Sequence, residues 1–228
     1  TLAGGSLTVN AGAMLRSVFH SATINLGGGT VSNAGTIEGR AGGGLTIDGA
    51  VAGGGLIEAS GGGLTVTGGV SGGAARIVGT GVLEVDGAMG ENVFFAAGST
   101  GELVLGEGTG FSGRVYGFSH TKANSIDLKN VLFDASDTLS YSGSKAGGTL
   151  TLKSSANVVL ATIRFSGDFG AGSSFSIASD GAKGTVITDP TTVTKLSSAI
   201  AGFGGAAGST LATASTPVAQ PVLARPGG

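Results

Sequence analysis

Short runs in which apolar and polar residues alternate recur along this chain at a fixed spacing. Leu45-Thr46-Ile47-Asp48-Gly49-Ala50-Val51 returns as Leu64-Thr65-Val66-Thr67-Gly68-Gly69-Val70, and again as Leu83-Glu84-Val85-Asp86-Gly87-Ala88-Met89, each copy 19 residues after the last. Alternation with period two is the pattern of a strand with one buried face. A repeat near twenty residues is that of a solenoid that stacks one coil per repeat. A second strand recurs in each coil, as Ile37-Glu38, Ile57-Glu58 and Ile77-Val78 at intervals of 20. Leu7-Thr8-Val9-Asn10 stands two periods before Leu45, and Ile24-Asn25-Leu26 lies between them in a shifted register.

This pattern predicts an all-β chain, folded as a right-handed parallel β-helix of about 19–20 residues per coil. Its core ladders are Leu45, Ile47, Leu64, Val66, Leu83 and Val85 on one strand, and Ile37, Ile57 and Ile77 on the other. Thr46 and Asp48 point outward, because successive side chains leave a strand on opposite sides. Gly-rich corners at 42–44, 53–55, 61–63 and 72–73 turn the chain in few residues.

Near Gly90 the spacing loses its regularity and aromatics accumulate, from Phe94 and Phe95 to Phe175. The expected organisation is Gly-rich repeats over 1–90, an irregular aromatic-rich β cap over 91–190, and a linker-like tail over 191–228. Within the tail, Leu196, Ala199, Ile200 and Phe203 have the spacing of a short helix over Thr191–Phe203. A cap is expected because a solenoid that stops must cover its core and its last strand edge.

Composition narrows the class. The 228 residues include 47 Gly but show no Gly-X-Y period, which excludes collagen. Apolar content of 40% and charged content of 11% predict a folded chain. With no Cys there is no disulfide or thiolate metal site. Residues 1–108 carry eight acids and three bases, and residues 109–228 carry six acids and nine bases. Neither half is basic enough for a nucleic-acid partner. No apolar run approaches the ~20 residues of a membrane-spanning helix. A chain that begins at Thr1 with no basic-then-apolar leader reads as a mature or excised piece.

The N-terminal coils resemble those of autotransporter passengers and related bacterial surface adhesins. The segment from Asn92 to Thr188 is similar to a module of large repeat-bearing surface proteins of alphaproteobacteria. Its carrying motifs are Phe95-Ala96-Ala97-Gly98-Ser99-Thr100-Gly101-Glu102-Leu103-Val104-Leu105 and Phe111-Ser112-Gly113-Arg114-Val115-Tyr116-Gly117-Phe118. They continue with Ser125-Ile126-Asp127-Leu128, Gly147-Gly148-Thr149-Leu150-Thr151-Leu152 and Ser179-Asp180-Gly181-Ala182-Lys183-Gly184-Thr185-Val186-Ile187-Thr188. The resemblance implies export and a secreted or bacterial cell-surface location. No series of ~10-residue alternating membrane strands follows Thr188.

The favoured function is a structural or adhesive module that presents an elongated surface to glycan, extracellular matrix or sister subunits. Catalytic, cofactor and metal residues are assigned to none. A polysaccharide-acting enzyme is the alternative, because Glu38 and Glu58 stand on adjacent coils at ~4.8 Å, near a retaining pair, and Asp48 and Asp86 two coils apart. A self-assembling filament or homo-oligomer is the third reading. Calcium is the single cofactor left open, through Asp127, Asp134, Asp137 and Asp180, although the Gly-Gly-x-Gly-x-Asp nonapeptide is absent. His20 and His120 have no metal-pair spacing. The candidate binding surface is Phe111, Tyr116, Phe118, His120 and Tyr141, in the aromatic half.

Overall fold

The structure, a computed structural model, describes residues 5–121, 123–169 and 175–189. The helix expected over Thr191–Phe203 and the 191–228 tail lie outside the described residues. Stacked parallel strands form a β-solenoid of about six turns, and no helix occurs among the described residues.

The first coil contains β1 (Leu7–Val9) and β2 (Met14–Ser17), and the second β3 (Ala22–Asn33) and β4 (Thr36–Arg40). The third contains β5 (Leu45–Ala52) and β6 (Leu56–Ser60), and the fourth β7 (Gly63–Val66), β8 (Val70–Ser71) and β9 (Ala74–Val78). The fifth adds β10 (Val82–Val85) and β11 (Asn92–Phe95), and the sixth β12 (Glu102–Leu105) and β13 (Arg114–Tyr116), before β14 (Ser125–Leu128). Three faces result. The first carries the N-terminal halves of β3 and β5, then β7, β10, β12 and β14. The second is narrow: β1, the far halves of β3 and β5, β8, and single bridges at Met89 and Phe111. The third stacks β2, β4, β6, β9, β11 and β13.

Alternation makes the ladders, as the sequence predicts. Leu45, Leu64, Leu83, Leu103 and Ile126 align on the first face, beside Ile47, Val66, Val85, Leu105 and Leu128. All are nearly fully buried, and burial of each such side chain is worth about 1.5–3 kcal/mol. A ladder absent from the expectation runs up the second face through Val31, Val51, Val70, Met89 and Phe111.

On the third face the expected column is corrected. Ile37 and Ile57 are in register, but Ile57 is followed by Ala75, and Ile77 stands opposite Ala59. This coil takes 18 residues from Glu58 to Arg76, so a fixed interval of 20 misses the register by two. A shift of two keeps Ile77 inward, and it is buried in the neighbouring ladder with Phe95.

Parallel stacking also continues past Gly90. β10 pairs with β12, β12 with β14, and β11 with β13, all parallel. The coil lengthens from 19 residues between Thr65 and Glu84 to 23 between Glu102 and Ser125. Longer corners absorb the difference, while the inward positions stay apolar. Loss of a constant period is therefore not loss of the solenoid.

The cap is antiparallel. β15 (Thr138–Ser144), β16 (Gly147–Lys153) and β17 (Val159–Ser166) form a meander, and β17 lies parallel to β13. β18 (Ser176–Ser179) and β19 (Thr185–Thr188) form a second antiparallel pair, with β19 laid on β14. Together they cover the last coil's open edges and end on the Ser-rich strands β15 and β18. Phe165 and Phe169 are fully buried and contact Phe175 with ring centroids 5.1 and 5.5 Å apart. Phe118 meets Phe165 at 5.2 Å, so the aromatics plug the end of the core.

Candidate functional site

Strand alternation sends every second residue of the third face outward, and register stacks these into columns. One column reads Arg16, Glu38, Glu58, Arg76, Phe94, Tyr116 and Ser166. Its neighbour, two residues earlier on each strand, reads Leu56, Ala74, Asn92, Arg114 and Arg164. Thus the carboxylate pair and Tyr116 share one strip. The strip also contains Phe94, Arg76, Arg114, Arg164 and Ser166, which the sequence reading did not single out.

Phe94 and Tyr116 stack face to face, with centroids 4.6 Å apart and planes inclined by 15°. That separation is close to the ~4.8 Å between adjacent strands, so the rings lie like steps across the solenoid axis. Phe94 is 39% exposed. Beyond Tyr116 the rungs are Ser166 and then Gly147, which add almost no bulk over the ring's other face. Arg114 Nη1 donates to Phe165 O at 2.9 Å, and a Cβ on Gly147 would lie 3.2 Å from this nitrogen. The Arg114 guanidinium therefore lies over Gly147 on that side of Tyr116. Arg164, directly opposite Arg114, donates from Nη1 to Ser112 O at 3.2 Å.

The next corner on the same strands is concave. A recess of about 540 Å³ lies among Gly98, Ser99, Gly117, Ser119, Thr121 and Asn124. Gly117, next to Tyr116, has φ 67°, a conformation open to glycine, and a Cβ there would collide with Phe95 O. Asn124 Oδ1 accepts from the Ser119 N–H at 2.9 Å, and the Ser119 and Thr121 hydroxyls are 2.6 Å apart. Ser99 is buried, bonding Gly79 O through its hydroxyl.

Glu38 and Glu58 are in register as expected, but their surroundings differ. Glu58 is paired with Arg76 at 3.3 Å, and Glu38 is only 8% exposed. Asp48 accepts from Thr67 at 3.1 Å, and Asp86 is held by Lys129 at 2.8 Å.

Other sequence candidates divide by burial. Phe111 and Phe118 are core residues, at 6% and 4% exposure, which corrects their place in a binding surface. Phe111 tops the second-face ladder, and Phe118 packs against Phe95 and Phe165. Tyr141 is half-buried against Phe169 and Phe175 with its hydroxyl enclosed, and burial raises its pKa. Tyr116 and His120 remain at the surface. His120 Nδ1 lies 2.6 Å from Asp189 Oδ2, and its ring centre is 4.5 Å from that of Phe169.

Of the carboxylates considered for calcium, Asp127 and Asp180 converge on Gly184, where a Cβ would be 2.6 Å from an oxygen of each. Asp127 is pushed up to about 6, first by burial and then by the charges of Asp180, Glu102 and Glu84, with Lys129 opposing. Asp134 instead forms a turn, accepting from Ser136 N and Oγ, which lowers its pKa. No group of three or more His, Cys, Asp or Glu arranged to hold a metal occurs among the described residues.

Comparison with protein-family models, curated proteins and solved structures finds no match to this chain.

Proposed function

We propose that this chain is a structural and adhesive module of a secreted bacterial surface protein, a stiff solenoid that holds glycan-contacting side chains on its third face. The observation that carries this reading is the outward Phe94–Tyr116 stack, flanked by arginines and continuous with a largely apolar recess edged by Ser119 and Thr121. Exposed aromatics beside convergent polar groups suit sugars, which have apolar C–H faces and hydroxyl rims. Register-locked strands keep these groups in place without a ligand, so little ordering entropy is lost on binding. Secretion and a cell-surface location are supported by the resemblance of the Gly-rich coils to autotransporter passengers and surface adhesins.

Binding of the purified chain to immobilised polysaccharides tests the reading. Retention by at least one polysaccharide, reduced in Tyr116→Ala, is the expected result, and retention by none overturns it. The alternative of cleavage by Glu38 and Glu58 is read in the same samples by release of reducing ends. New reducing ends that vanish in both Glu38→Gln and Glu58→Gln would replace adhesion with catalysis.

A further inference from the structure

We infer that the third face takes an acidic sugar, with its ring on the face of Tyr116 turned away from Phe94 and its carboxylate or sulfate on Arg114 and Arg164. This rests on the glycan reading above and specifies the ligand of the same site.

Three observations converge. The first is the direction of the stack. Phe94 covers one face of Tyr116, and the next rungs on the other side are Ser166 and Gly147. On that side the column itself offers a gap floored by small residues, and the Arg114 guanidinium enters it over Gly147. A flat saccharide ring placed there extends the stack by one step.

The second is charge. Arg114 and Arg164 are directly opposite each other on parallel strands, an arrangement that costs stability because like charges repel. Their column contains Asn92, Ala74 and Thr149 as neighbours in register and no carboxylate. Each guanidinium has five donors, and one Nη1 on each is committed to a backbone carbonyl. The remaining donors fit a carboxylate or sulfate, which arginine binds with two parallel hydrogen bonds.

The third is continuity. Arg114 and Tyr116 are two residues apart, or ~7 Å along the strand, and the recess starts at Gly117. An acid group, a stacked ring and a neighbouring sugar unit therefore find their partners in that order along one strand. Ser119, Thr121 and Asn124 offer the recess its hydroxyl and amide groups.

The test is calorimetric titration of the full chain with three probes: an oligogalacturonate (carboxylate), a heparin-derived oligosaccharide (sulfate) and a neutral cello-oligosaccharide. Two variants act differently on the site. Arg164→Gln removes charge from an exposed side chain, and Ser166→Phe fills the gap without touching any ligand group. Thermal unfolding verifies that both remain folded. The expected result is binding of one or both acidic probes, weakened about tenfold by either variant and by raising salt from about 0.05 to about 0.5 M. Preference between the two acidic probes identifies the acid group. Equal binding of neutral and acidic probes, unaffected by Arg164→Gln, overturns the acidic class and leaves the glycan reading standing. Acidic binding that neither variant alters overturns this site. Binding of no probe overturns this inference, and the polysaccharide retention assay decides the broader reading separately.

Discussion

Asp127 and Asp180 face one another across Gly184, close enough that a single methyl group there would touch an oxygen of each. They are 53 residues apart in sequence and belong to different parts of the fold: Asp127 to the last coil, Asp180 to the turn that lets the cap fold back.

Burial of Asp127, and after it this proximity, sets a pH dependence. The carboxyl of Asp127 titrates near 6 when folded, above its ordinary 3.8. The folded state therefore binds a proton more tightly than the unfolded chain, and stability falls as pH rises from about 4 through 6. Asp127→Asn is expected to raise stability by about 1 kcal/mol at pH 7.5, after allowance for partial exposure. At about pH 2.5, below both the folded and the unfolded value, Asp127 is protonated in both states and the advantage should be gone. Denaturant midpoints at the two pH values decide this, and an equal gain at both removes the charge explanation.

Lys129 reaches back to Glu84 Oε1 at 2.5 Å and Asp86 Oδ1 at 2.8 Å, two coils below. The hydrogen bonds to these acids raise its own pKa, and its charge restrains that of Asp127. Lys129→Met should cost about 0.5–1 kcal/mol, since the pair is part-exposed, and the loss should shrink in high salt. It should also move the Asp127 titration further up, measurable by carbon-detected NMR of the side-chain carboxyl. An unchanged titration would mean the lysine charge does not reach Asp127.

Glycines on this chain are not interchangeable. A Cβ on Gly39 would run into the carbonyl of Gly63, whereas one on Gly54 meets nothing within 4 Å. Gly39→Ala is expected to destabilise by about 1–3 kcal/mol through overpacking between strands. Gly54→Ala should be neutral or stabilising by about 0.4–1 kcal/mol, because it restricts the unfolded chain. Thermal unfolding of the two variants side by side gives the ordering, and a reversed order contradicts the packing described.

Phe165 continues the ladder of Ile57, Ala75, Val93 and Val115 into the cap and is completely buried. Phe165→Ala should cost about 3–5 kcal/mol. Since coils contact mainly their neighbours, hydrogen exchange should speed up most in β13–β17 and least in β4–β7. Uniform acceleration along the whole chain would instead show a single cooperative unit.

The solenoid was legible in the linear pattern because a strand's inward and outward positions follow from alternation alone. Leu45, Leu64 and Leu83 are ladder partners at the spacing their repetition implies. Ile77 shows the limit, since one shorter coil displaced it by a pair of residues while leaving it inward. Aromatic residues after Gly90 carry no such periodic label. Phe118 and Tyr116 differ by two positions and have opposite fates, because a glycine corner at Gly117 separates strand from loop.

Amino-acid order by itself therefore determined the all-β class, the coil length of the regular repeats and the ladders of the first face, all of which follow from local alternation and repetition. Only the tertiary structure decided which outward residues stand together. The stack of Phe94 on Tyr116 spans 22 positions, Arg76 on Phe94 spans 18, and Arg114 on Arg164 spans 50, across an antiparallel excursion. Corner lengths set these pairings, and corner lengths change freely wherever the inward ladder is preserved. Ladder burial constrains the inside of each coil strongly and its outside hardly at all, so the candidate site emerged only from the register.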